Sequence, residues 1–110
     1  MKKSNIFAYI ELKKLVDNLH HPSRALKENF VLQASYFHIL DPKFFSEELS
    51  PEWNLLRTRL GYSPEKALQG QLVLKQSMRE SIQSLSDAEC RDIAARLSSL
   101  YARLGHEFDS

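Results

Sequence analysis

Cys90, Ile93, Leu97, Leu100 and Leu104 follow one another at intervals of three, four, three and four residues. Spacing of this kind lines up on one face of a helix and scatters on a strand. The stripe is preceded by Ser86-Asp87-Ala88-Glu89, in which Ser and Glu can bond each other's backbone amides as a capping box. A helix over 87–104 follows, with Ala94 and Tyr101 flanking its apolar seam. Such a seam suits either a monomer core or contact with a second copy, so a homodimer through this helix is an expected possibility.

The remaining punctuation is also helical. Ser4 can cap a helix over 4–19, whose Ala8, Leu12, Leu15 and Leu19 form a stripe widened by Tyr9 and Val16. Pro22 opens a second helix over about 22–40, with Leu26, Phe30, Ala34, Phe37 and Leu40 on one face. Asp41-Pro42 can start a short extra helix near 42–48. Ser50-Pro51-Glu52 and Ser63-Pro64-Glu65 each combine a capping hydroxyl, a Pro where no amide donor is needed and an acid near the positive helix end. They predict helices over 51–60 and 64–84, the second carrying Gly70, where either another helix packs closely or the helix kinks. Gly61 and Gly105 fall just past Leu60 and Leu104, where left-handed caps are expected. The short apolar runs at 31–32 and 72–74 sit inside helical periodicity. The predicted fold is therefore all-α: a single-domain antiparallel bundle of about five helices over 1–110.

Composition narrows the function classes. The chain has 110 residues, and 15 Lys and Arg stand against 14 Asp and Glu, so bulk charge favours neither nucleic acid nor membrane. One Cys cannot form an internal disulfide, and no segment reads as a signal peptide or membrane span, so a cytoplasmic protein is expected. His20, His21, His38 and His106 have no metal-ligand spacing. Cys90 lies on the apolar seam, where a thiol is packing rather than a nucleophile. Glu47, Glu48 and Glu52 read as a solvated acidic face, and three isolated Gly build no phosphate loop. No catalytic residue, metal or cofactor is expected.

Two features carry information about partners. Six of the eleven aromatics, Phe30, Tyr36, Phe37, Phe44, Phe45 and Trp53, fall within 24 residues. Most would build the core where the second and third helices meet. Tyr36-Phe37 and Phe44-Phe45 are adjacent pairs, however, and adjacent residues do not point the same way on a helix. Tyr36, Phe44, Phe45 and Trp53 are therefore the expected anchors for a protein partner, with Arg57 and Arg59 orienting it. On this reading the chain is a non-catalytic interaction module, of regulator, inhibitor, adaptor or immunity type.

The second feature is 53–74, where helix, Gly61 turn and helix together resemble the helix-turn-helix of bacterial transcription regulators. The resemblance implies buried Leu56, Leu60, Tyr62 and Ala67, an outward-facing Glu65, and DNA contacts from Arg57, Arg59, Lys66 and Gln69. Five basic residues against Glu65 alone between Arg57 and Arg79 agree with it. Arg57 in place of a small residue, Pro64 at the start of the recognition helix and Gly70 within it depart from it. Acidic segments lie on both sides of this basic one, over 41–52 and 80–92, and can either neutralise it internally or leave separate patches for a partner.

Overall fold

A computed structural model describes residues 3–109. The helices among them are α1 (Ile6–Leu19), α2 (Leu26–Leu32), α3 (Ala34–Ile39), α4 (Ser50–Arg59), α5 (Pro64–Leu68), α6 (Gln71–Ser84) and α7 (Asp87–His106), with a 3-10 turn at Pro42–Phe44. No strand occurs among the described residues. The bundle measures 40 × 32 × 18 Å. Its thinnest dimension holds about two helix layers, so every long helix keeps one face toward solvent.

The α7 seam is the centre of the core. Cys90, Ile93, Leu97, Leu100 and Leu104 are all buried, chiefly against α1 and α4. The seam is thus filled within the monomer and offers no apolar stripe to a second copy. Ala8, Leu12, Leu15 and Leu19 of α1 are buried as their spacing requires, as are Phe30, Ala34, Phe37 and Leu40. Burial pushes the Cys90 thiol pKa up, and Asp87 and Glu89 add to this while Lys27 opposes it.

Local chemistry explains the helix ends. The Ser86–Glu89 capping box forms, with both bonds at 3.0 Å. Asp41 caps the 3-10 turn through the Lys43 amide, and Ser63 caps α5. Gly61, at φ +91°, closes α4 as a Schellman motif: its amide donates to Thr58 O, and the Tyr62 amide to Arg57 O.

Several boundaries differ from the sequence reading. Asn5, not Ser4, caps α1, its Oδ1 accepting from the Ala8 amide at 2.8 Å. Ser50 is already helical, and the preceding Leu49 makes no side-chain cap. The hydroxyl that accepts the Leu49 amide belongs to Ser46. The predicted 22–40 helix begins at Leu26 and breaks at Gln33, whose φ of −98° and ψ of 14° reset the chain without turning the apolar face. Its late start follows from Asn29, fully buried, whose Nδ2 donates to Leu19 O and His21 O and whose Oδ1 accepts from Arg24. These bonds tie the 20–25 loop to the end of α1.

The predicted 64–84 helix also divides. Gly70 adopts φ +116° and ψ 164°, a region open essentially to glycine alone. Nothing lies within 4 Å of where its Cβ would be, so it breaks the helix rather than admitting a close neighbour. Gly105, expected beyond α7, lies inside it, where an added Cβ would sit 3.5 Å from the Tyr9 ring.

Candidate protein-docking surface

Two of the four expected anchors and one of the two orienting charges are core groups. Trp53 is fully buried, stacked between Phe37 (5.5 Å) and Phe45 (5.2 Å), with Nε1 donating to Leu40 O at 2.6 Å. Phe45 is buried with it. Arg57 is also buried: Nη1 donates to Phe37 O at 3.1 Å, Nε to Asn54 Oδ1, and the guanidinium lies 3.9 Å over the Tyr62 ring. Burial lowers its pKa, with Tyr62 and Asp41 acting the other way. Trp53, Phe45 and Arg57 therefore bind α3 to α4 and present nothing to a partner. Tyr36 and Phe44 are half-buried. The adjacent aromatics do point apart, as expected, but into two parts of one core and its margin.

The helix-turn-helix resemblance fails on the same geometry. Its second helix, α5, has five residues and ends before Gly70, too short to lie along a groove. Leu56 and Leu60 are buried, while Tyr62 and Ala67 are half-buried. Of the four DNA-contact residues, Arg57 is internal and Arg59 is paired with Asp92 at 3.1 Å. The Asp92 carboxyl is held below its ordinary range by hydrogen bonds from Arg59 and Arg96. At Arg59 the acidic segment neutralises the basic one. Lys66 and Gln69 remain exposed.

A different surface emerges at the helix break. Leu68 is 90% exposed and Leu72 85%, flanking Gly70 on either side. The buried face of α6 is Leu74, Met78 and Ile82. Leu72, two positions before Leu74, lies about 200° round the helix from it and so points outward. Val73 is also exposed, as are Leu32 and Ile39 on the facing α2 and α3. Between these elements lies a cleft of about 150 Å³, walled by Val31, Ala34, His38, Ile39, Leu74 and Lys75. A second hollow, lined by Lys27, Glu28, Arg79 and Gln83, shares Val31 and Leu32 with it. Scattered exposed leucines are ordinary, but several large exposed apolar residues on the elements that border one cleft mark a candidate interaction site. Sequence periodicity alone does not show it, because it places Leu68 and Leu72 on one continuous helix over 64–84. The available signal was Gly70 between two leucines four apart.

A second group of exposed apolar residues, Ile6, Phe7 and Ile10 with Phe108, lies near both ends of the chain. Phe7 meets Phe44 edge-on at 5.6 Å, and Phe108 lies 5.4 Å from Tyr9, which stacks on Tyr101. These rings contact one another but stay partly exposed, and none of them lines a cleft.

The polar cluster Ser4, Ser46 and Glu107 has the residue types of a hydrolytic site but the geometry of a clasp. The Ser46 hydroxyl donates to Glu107 Oε2 at 2.6 Å, the Ser4 amide donates to Oε1 at 2.9 Å, and Ser4 Oγ accepts from the Ser46 amide. Every strong donor is spent on joining the segment before α1 to the chain after α7. Burial raises the Glu107 pKa, but the bonds from Ser46 and Ser4 outweigh it and the net shift is downward. A carboxylate with a depressed folded pKa contributes stability above its unfolded value, lost as pH falls through the folded one. Glu107→Gln is therefore expected to cost about 1 kcal/mol at pH 7. In urea titrations that deficit should narrow below about pH 4.5; a deficit independent of pH would contradict the clasp. Among the described residues, every buried side-chain nitrogen or oxygen has a partner, and no three His, Cys, Asp or Glu converge. No helix there is long and apolar enough to cross a membrane.

No family model, curated protein or solved structure matches the chain.

Proposed function

We propose that the chain is a non-catalytic docking module, and that it binds another protein through the face formed by α2, α3 and the α5–α6 joint. The observation that carries this reading is the pair Leu68 and Leu72. Two leucines 90% and 85% exposed contribute almost nothing to the fold. Held at a glycine-only break beside an apolar cleft, they are placed to contribute to an interface instead. The partner's apolar side chains would cover both leucines and enter the cleft between α3 and α6.

Replacing both leucines by serine tests it. The Leu68→Ser, Leu72→Ser variant is expected to melt within about 2 °C of wild type, as exposed substitutions do. Wild type should recover amphipathic helical peptides from a display library, and the variant should lose them by at least tenfold in affinity. Equal recovery by both proteins, or no recovery by wild type, would overturn the docking reading.

A further inference from the structure

We infer that the occupant of this face is an acidic amphipathic helix of about three turns, with one bulky apolar side chain seated in the cleft; the inference rests on the docking reading above. Charge is the first argument. The linings of the two hollows carry Lys27, Lys75 and Arg79 against Glu28. Lys75 and Arg79 follow Leu72 by three and seven residues, so all three share one stripe along α6. Lys66 stands on α5 just before Leu68. The side chains of Lys66, Lys75 and Arg79 have no hydrogen bond or ion pair among the described residues. This contrasts with Arg59, Arg96 and Arg103, which are paired with acids. A row of unspent cations beside an apolar trough is complementary to carboxylates on a partner's flank.

Shape is the second argument. From Gln71 to Gln83 the trough follows α6 for about 18 Å, or roughly three turns of a docked helix. Such a helix can lay apolar residues at i, i+3 or i+4 and i+7 along the groove and leave its polar flank toward the basic row. The described residues offer no sheet edge for an added strand to pair with. A cleft of about 150 Å³ with apolar walls is the size that holds a benzene-like group, so the anchor is an aromatic or branched aliphatic side chain. A lipid surface would cover Leu68 and Leu72 but would leave this recess empty.

The test is a display selection on the whole protein. The library consists of helical peptides of about 14 residues with a fixed apolar stripe, their polar positions drawn evenly from Glu, Lys, Gln and Ser. Peptides recovered by wild type should be rich in Glu and poor in Lys, with a bulky residue at the central stripe position. A Lys75→Glu, Arg79→Glu variant, altering two exposed and unpaired side chains, should weaken them at least tenfold and instead recover Lys-rich peptides. If the recovered peptides are neutral or basic and still require Leu68 and Leu72, the acidic occupant is wrong and the docking face stands. If no peptide is recovered, while vesicles of phosphatidylcholine with phosphatidylglycerol bind wild type and not the Leu68→Ser, Leu72→Ser variant, both readings fall in favour of a membrane surface.

Discussion

Gly61→Ala is expected to destabilise the protein by about 3 kcal/mol, the sum of two separable costs. The first is conformational. At φ +91° an L side chain meets its own backbone, and the αL position of the Schellman motif is lost or strained. The second is steric. A Cβ on residue 61 would sit 2.6 Å from Ser81 Cβ and 3.2 Å from Met78 Cα on α6. The α4–α5 turn thus leans directly on α6, and Gly61 sets the position of both. Denaturant unfolding of a double-mutant cycle separates the two. Ser81→Gly removes the nearer obstacle, so the double variant should recover about 1 kcal/mol or more of the loss beyond the sum of the single effects. A strictly additive cycle would mean that the turn does not press on α6.

Trp53→Ala should be at least as damaging, at about 4 kcal/mol. Trp53 joins three elements: its ring is sandwiched by Phe37 of α3 and by Phe45 after the 3-10 turn, and its indole N–H satisfies the last carbonyl before Asp41. Truncation leaves a large cavity and an unpaired buried carbonyl together. Trp53→Phe keeps most of the volume and loses the bond, so it should cost about 2 kcal/mol. Against a total stability of about 5–15 kcal/mol, the alanine variant should show a lowered urea midpoint and the phenylalanine variant an intermediate one. A midpoint for Trp53→Ala close to that of wild type would place the indole at the surface, as a partner anchor, after all.

Periodicity made the core legible. The stripes on α1 and α7, the capping box at Ser86 and the cap at Gly61 could be read directly, because each is a local pattern with one helical interpretation. Burial of a titratable or aromatic side chain could not. Arg57 reads as a surface cation until the Phe37 carbonyl, from another helix, and the Tyr62 ring, folded back by the Gly61 turn, are seen to enclose it. Ser4 reads as a helix cap, yet its partners lie at Ser46 and Glu107. Adjacency makes Phe44 and Phe45 diverge, but the diverging Phe45 ring stacks on buried Trp53 inside the core instead of reaching an interface.

The docking face was hidden for a different reason. Gly70 in a helical pattern fits both a close packing contact and a break, and only the break turns Leu68 and Leu72 into solvent. The same break removes the recognition helix that the Arg57 to Arg79 charge run had suggested. What remains of that run includes Lys75 and Arg79, which line the apolar trough, and Lys66, which stands exposed on α5 just before Leu68.

The most direct measurement follows backbone amide shifts of nitrogen-labelled wild type, and of the Leu68→Ser, Leu72→Ser variant, during titration with one recovered acidic peptide. Shifts are expected to be confined to residues 25–39 and 66–83 in wild type, with none in the variant at the same peptide concentration. Shifts centred on Ile6, Phe7, Ile10 and Phe108, or an undiminished response in the variant, would contradict the docking face.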